Sequence, residues 1–137
     1  MRTPQQILAD AAVIAVVGAS RDPSKAAYRV PSQMRRYGWR IIPINPYVGE
    51  LFGERAYPSL AAVPERVDVV NVFRPAEEAG DLARQAAAIG ASALWLQLGI
   101  VSPQARQIAI EAGLDYVEDR CILIERAASG LTRLEKA

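Results

Sequence analysis

Ala12-Val13-Ile14-Ala15-Val16-Val17-Gly18-Ala19-Ser20 is an unbroken apolar run that stops at a glycine, a small residue and a hydroxyl. A half-exposed strand would alternate apolar with polar residues. A run of β-branched residues without alternation suits a strand covered by helices on both faces, so the pattern predicts the central strand of a parallel sheet. In open α/β sheets, ligands bind outside the carboxyl ends of the strands where the strand order reverses, which puts the expected site at Gly18. Gly18 permits a sharp turn and close approach to a ligand, and Ser20 adds a hydroxyl. The backbone N–H groups of such a turn suit an anion, especially a phosphate. Taken alone, the same residues also read as an ordinary strand-to-loop turn.

Working outward, Thr3-Pro4-Gln5-Gln6 predicts a helix start, with Thr3 as N-cap, Pro4 in the first position and Gln6 reaching back, and the helix runs to Asp10. Residues 21–29 read as a loop or single turn. Pro31 is expected in the first turn of a helix ending near Tyr37, with Gly38 as its C-terminal glycine. Arg40 to Ile44 is the second strand, stopped by Asn45-Pro46, with Pro43 making its pairing irregular on one side. Residues 47–56 read as an irregular loop and residues 59–62 as a short helix. Val67 to Phe73 is the third strand. Pro75 with Glu77 and Glu78 opens a helix that Gly90 ends. Ala93 to Leu98 is the fourth strand. Ser102-Pro103 caps a helix whose Ala105, Ile108, Ala109 and Ala112 share one face. Leu114 to Val117 is the fifth strand, Cys121 to Ala127 a last short helix, and residues 129–137 a frayed tail. Strands alternating with helices at this spacing predict an α/β fold: a Rossmann-type open parallel five-stranded sheet, order 3-2-1-4-5, with helices on both faces.

Composition bounds the rest. At 137 residues, with 51% hydrophobic and 23% charged residues and no linker or repeat, the whole chain, 1–137, is expected to be one domain with one core. Sixteen basic and fifteen acidic residues leave a net charge of +1, which gives no steering toward nucleic acid. The basic residues are unevenly spread, because Arg21, Lys25, Arg29, Arg35, Arg36 and Arg40 face the single acid Asp22 between positions 21 and 40. Arg35, Arg36 and Arg40 read as a solvated helix face, whereas Arg21, Lys25 and Arg29 follow the Gly18 turn and are placed to meet anionic groups. The single cysteine, Cys121, excludes an internal disulfide and fits a reducing compartment. The absence of histidine removes Ser-His and Cys-His catalysis, histidine metal sites and a phosphohistidine intermediate. Gln5, Gln6 and Asp10 interrupt what would otherwise resemble a secretion signal, and no apolar run approaches the ~20 residues that span a membrane. The expected setting is cytoplasmic, with neither a membrane nor a nucleic-acid partner.

The dinucleotide fingerprint GxGxxG, followed by an acid ~20 residues on, is missing. The turn reads Gly18-Ala19-Ser20-Arg21-Asp22-Pro23, and the second strand ends without a carboxylate for a ribose diol. No GK[ST] follows Gly18, which excludes a P-loop. Gly18-Ala19-Ser20 with Lys25 and Tyr28, Pro43-Ile44-Asn45-Pro46, Val72-Phe73-Arg74-Pro75, Trp95 to Ile100 and Asp119-Arg120-Cys121 together resemble the small stand-alone CoA-binding proteins. They are similar to the CoA-binding domain of the succinyl-CoA synthetase alpha subunit. Each motif is weak singly, but the set, in order at successive strand ends from Ile14 to Glu125, is specific.

That resemblance implies a ligand, coenzyme A or an acyl-CoA, whose pyrophosphate meets the N–H groups of the turn at Gly18, Ala19, Ser20 and Arg21. Lys25 or Arg29 would meet the ribose 3′-phosphate. A ribose-binding acid would repel that phosphate, so its absence is consistent. Pro43, Asn45 and Pro46 would border the adenosine. Phe73, Arg74 and Pro75 would shape the next strand end, and Gln97, Gly99 and Ile100 would sit toward the pantetheine arm. Two departures matter: Tyr47 follows Pro46 where the synthetase domain has a lysine, and the phosphorylated histidine is absent. The resulting expectation is non-catalytic binding that serves sensing, carriage or regulation of an unidentified protein partner, with no catalytic residue and no metal. The alternatives are an NAD(P)-dependent oxidoreductase without the usual fingerprint, a Cys121-dependent acyl-CoA enzyme, or an interaction domain with a vestigial crevice. Arg74 and Arg120 have a plainer reading as partners of nearby acids, and Trp95 as core.

Overall fold

In the computed structural model, which describes residues 1–134, the N-terminal signal closes as a full capping box. The Thr3 hydroxyl accepts from the Gln6 N–H at 3.2 Å and Gln6 Oε1 accepts from the Thr3 N–H at 2.9 Å, starting helix α1 (Pro4–Asp10). Strand β1 (Val13–Val17) follows, its entrance fixed by Asp68, whose Oδ2 accepts the N–H groups of Ala12 and Val13. Then come helix α2 (Ala26–Arg36), strand β2 (Arg40–Ile44), the two-residue strands β3 (Glu50–Leu51) and β4 (Glu54–Arg55), and a 3-10 turn (Leu60–Ala62). Strand β5 (Val69–Val72), helix α3 (Ala76–Ala88), strand β6 (Ala93–Leu96), helix α4 (Pro103–Glu111), strand β7 (Asp115–Val117) and helix α5 (Ile122–Ser129) complete the chain.

The five main strands form one parallel sheet in the order β2-β1-β5-β6-β7. The open, doubly covered α/β fold is the expected one, but the sequence-based order 3-2-1-4-5 needs a correction. The Val67–Phe73 strand does not lie outside the second strand; as β5 it pairs with β1 on the side opposite β2. The place outside β2 is held by one residue, Tyr57, in a parallel bridge to Ile44, with its N–H donated to the Pro43 carbonyl and its carbonyl accepting from Asn45. A one-residue bridge has no periodicity, so the sequence pattern assigned that slot to the next run of valines.

The continuous apolar strands bury both faces. Ala15, Val17, Ile42, Ile44, Val70, Val72, Leu94 and Leu96 pack under α3 and α4, while Ile14, Val16, Ile41, Val69 and Trp95 pack under α1, α2 and α5.

Helix α2 departs from expectation in an informative way. It begins at Ala26, so Pro31 lies inside it instead of in its first turn. Proline donates no i→i−4 bond, which leaves the Ala27 carbonyl without its helical donor. The Ser20 N–H supplies that bond at 3.1 Å, tying the loop after β1 to the helix. The expected irregular loop at 47–56 contains a small hairpin, with Phe52 and Gly53 both at positive φ (56° and 72°), as a tight two-residue hairpin turn requires. The tail is also more ordered than expected through Leu134. The Arg133 N–H donates to the Tyr37 carbonyl at 2.8 Å, and a Cβ on Gly38 would lie 2.4 Å from the Arg133 backbone. The last three residues of the expected frayed tail lie outside the described residues.

Candidate functional site

Where β1 and β2 end, the chain turns away in both directions and leaves a cleft of about 670 Å³. Its walls are Val17 to Arg21 and Lys25 after β1, Ile44 to Val48 after β2, Pro58 to Leu60, and one side of α3 and its approach, Arg74, Glu78, Leu82 and Gln85.

The loop that forms one wall is built from local hydrogen bonds. Gly18 turns at φ +86° and donates its N–H to Ile44. The Ser20 hydroxyl accepts from the Asp22 N–H at 3.0 Å, and Asp22 Oδ1 accepts from the Ser24 N–H and hydroxyl at 2.9 and 2.8 Å. These donors, the Ser24 backbone first, hold the Asp22 carboxyl below its usual range. The two strand-end loops are joined by Asn45, whose Nδ2 donates to the Ala19 carbonyl at 2.9 Å while its Oδ1 accepts from the Tyr47 N–H at 2.8 Å. The Ser20 hydroxyl and the Asn45 amide therefore shape the cleft.

Charge in the cleft is mainly positive. Arg21 and Lys25 are exposed and, among the described residues, have no carboxylate within 4.0 Å. Lys25 is also the N-cap of α2 without a side-chain capping bond; its own N–H donates to the Asp22 carbonyl at 3.0 Å, and its carbonyl accepts from the Tyr28 and Arg29 N–H groups. Arg74 is paired with Glu78 at 2.8 Å. The end of β2 supplies no carboxylate.

The remaining sequence-predicted residues sit elsewhere. Tyr28 packs on Phe52 with ring centroids 5.4 Å apart, and the Arg29 guanidinium donates to the Ser24 carbonyl. Pro43 is inside β2 opposite Val16. Phe73 is half-buried against the α1/α2/α5 side, and Pro75 starts α3. Gln97 is 5% exposed, and its Oε1 accepts from the Ile122 N–H at 2.9 Å and from Asn71 Nδ2 at 3.3 Å, so it caps α5 from the end of β6. Gly99, at φ +87°, donates its N–H to Asp119, and Ile100 is half-buried on the α3/α4 side. The last three belong to the carboxyl edge of the sheet, two strands along from β1. Arg120 pairs with Glu125 at 2.8 Å, Trp95 is fully buried, and Cys121 is half-buried against the α1/α2/α5 side, off the cleft walls.

Sequence reasoning did not pick out Tyr47, Val48, Pro58 to Leu60, Glu78, Leu82 and Gln85 as walls. Glu78, Leu82 and Gln85 were readable, since i, i+4 and i+7 share one helix face. Pro58 to Leu60 reach the site only through the Tyr57 bridge. Among the described residues no group of three acidic, cysteine or histidine side chains could hold a metal, and no helix is long and apolar enough to cross a membrane.

This fold and cleft define an open α/β protein of Rossmann-like architecture with a strand-end site. The sequence matches the CoA binding domain family over residues 12–127, and the chain belongs to that family. It is 34% identical over 125 residues to the uncharacterized protein YneT of Bacillus subtilis, covering 91% of this chain and 93% of that one. It is 38% identical over 63 residues to the ADP-forming acetate–CoA ligase II alpha subunit of Pyrococcus furiosus, but that match spans only 14% of the ligase subunit and 45% of this chain. A solved protein from Thermus thermophilus superposes with TM-score 0.87 at 39% identity, covering 93% of this chain and 98% of that one. A hypothetical protein from Pyrococcus horikoshii superposes with TM-score 0.88 at 32% identity, covering 93% and 92%. The stand-alone CoA-binding resemblance is therefore shown, and the chain is homologous to the CoA-binding region of the larger ligases.

Proposed function

We propose that the protein binds coenzyme A or an acyl-CoA in the Gly18 cleft and performs no chemistry on it. The observation that carries this reading is the pairing of an electropositive turn with a carboxylate-free β2 end: Arg21 and Lys25 line the cleft with Gly18. Such a wall suits a ligand bearing both a pyrophosphate and a ribose phosphate. Of the two cations considered for the 3′-phosphate, Lys25 is favoured, because it lines the cleft while the Arg29 guanidinium is engaged by Ser24. The adenosine borders Asn45 and Pro46. The pantetheine runs along the sheet edge toward Gln97, Gly99 and Ile100.

Support for a non-catalytic role comes from the lack of histidine and from Cys121 standing off the cleft walls. The binding then serves sensing, carriage or regulation of a partner in the cytoplasm. Native mass spectrometry of protein purified from its own cells tests this. A co-purifying CoA-sized mass is expected. A dinucleotide-sized mass, or ATP- or GTP-dependent thioester formation by the pure chain, would contradict it.

A further inference from the structure

Among the described residues, Glu78 is the one carboxylate lining a cleft whose other charged walls are Arg21, Lys25 and Arg74. It occupies one edge of the Arg74 guanidinium: Nε lies 3.1 and 3.3 Å from the two carboxylate oxygens and Nη2 lies 2.8 Å from Oε2. A guanidinium recognises a phosphate through the same planar fork, so the Nε/Nη2 edge cannot serve both anions at once. The stem of Arg74 is fixed over the turn, where a Cβ on Gly18 would be 2.8 Å from Arg74 Cδ and 3.2 Å from Cγ. The two side chains are 48% and 47% exposed, which leaves the guanidinium head free to turn toward the cleft at small cost.

We infer that Glu78 is an affinity-setting competitor in this site: it holds the Nε/Nη2 edge of the Arg74 guanidinium, and the ligand's pyrophosphate takes that edge in exchange. This rests on the phosphate-ligand reading above and adds to it a residue that weakens binding. The opposite role, a buttress that positions Arg74 for the ligand, predicts the opposite sign. Glu78 also lies in the first turn of α3, where an acid stabilises the helix dipole, so its presence has a structural use independent of the ligand.

Calorimetric titration of CoA into the parent, Glu78→Gln, Arg74→Ala and the double variant decides it, with thermal unfolding to show that all four are folded. An exposed i,i+4 pair shifts an equilibrium by about twofold, and removing a carboxylate beside a phosphate adds to that, so Glu78→Gln should tighten CoA by about three- to tenfold. The same substitution on the Arg74→Ala background should give less than about half of that gain on a logarithmic scale. Weaker or unchanged binding by Glu78→Gln overturns the inference while leaving the CoA reading in place. An equal gain in both backgrounds, which plain repulsion predicts, also overturns it. No CoA binding by the folded parent overturns the functional reading and this inference together.

Discussion

Gly18 meets two demands that no other residue type satisfies together. Its φ of +86° is costly for a side chain, and an added Cβ would press on Arg74 Cδ at 2.8 Å and on the Phe73 carbonyl at 3.2 Å. Gly18→Ala should lower stability by about 1–3 kcal/mol in urea denaturation, with an unchanged slope, and distort the turn that borders the cleft. Asp68 acts at the other end of β1. Burial raises its pKa, but the N–H donors of Val13 and Ala12 and the nearby Arg66 outweigh that and hold it below the ordinary carboxylate value. A folded-state pKa below the unfolded one contributes stability that is present above the unfolded value, about 3.9, and is lost as pH falls through the folded value. Asp68→Asn should therefore cost about 1–2 kcal/mol at pH 7, and its deficit against the parent should shrink as denaturation is repeated from pH 5 down to 3. A deficit constant with pH would show that the carboxylate charge contributes nothing.

At the scale of elements, α5 shows how tertiary context replaces a local signal. Cys121 gives no side-chain capping bond, and Gln97 from β6 accepts the Ile122 N–H instead, while also taking a bond from buried Asn71. Gln97→Leu strands the Ile122 N–H and takes one of two acceptors from Asn71 Nδ2, which keeps the Trp95 carbonyl, and should cost about 1–3 kcal/mol by chemical denaturation. Elements whose signals are local were legible: the Thr3 capping box, the Asn45-Pro46 stop of β2, and the Ser102-Pro103 start of α4 all stand where the sequence puts them. Elements whose signals are nonlocal were not. The start of α2 was misplaced because Pro31 forbids an ordinary interior position, and only the Ser20 N–H, seven residues earlier in the chain, completes the Ala27 carbonyl. Restoring the helical donor with Pro31→Ala should make the Ser20 amide exchange faster with solvent, read by NMR hydrogen exchange. An unchanged rate would mean that the proline does not secure that bond.

For the whole molecule, the sheet edge sets the site: the continuations of β1 and β2 form most of the cleft walls, and the segment after the neighbouring β5, from Arg74 into α3, forms the rest. Gly18 to Arg21, Asn45, Pro46 and Arg74 were legible because they follow strand ends closely, where the architecture concentrates ligand contacts, and Lys25 because it lies in the loop that continues from the Gly18 turn. Arg29 was singled out by its place after the Gly18 turn, and Tyr28 and Gln97 through the family resemblance, yet their polar groups or rings are engaged within the fold, which only tertiary packing decides. The walls contributed by Pro58 to Leu60 depend on a single bridge at Tyr57, invisible to any periodicity.

The central claim, that this cleft recognises coenzyme A through its phosphates, is tested most directly by calorimetric titration of the parent and of Lys25→Ala with CoA, 3′-dephospho-CoA and NADH. A charge-assisted hydrogen bond is worth roughly 1.5 to 3 kcal/mol, so the parent should bind CoA about tenfold or more tighter than dephospho-CoA, with the preference shrinking in added salt. Lys25→Ala should lose that preference while leaving dephospho-CoA binding nearly unchanged. Equal affinity of the parent for CoA and dephospho-CoA would remove Lys25 from the phosphate site, and binding of NADH without binding of CoA would contradict the account.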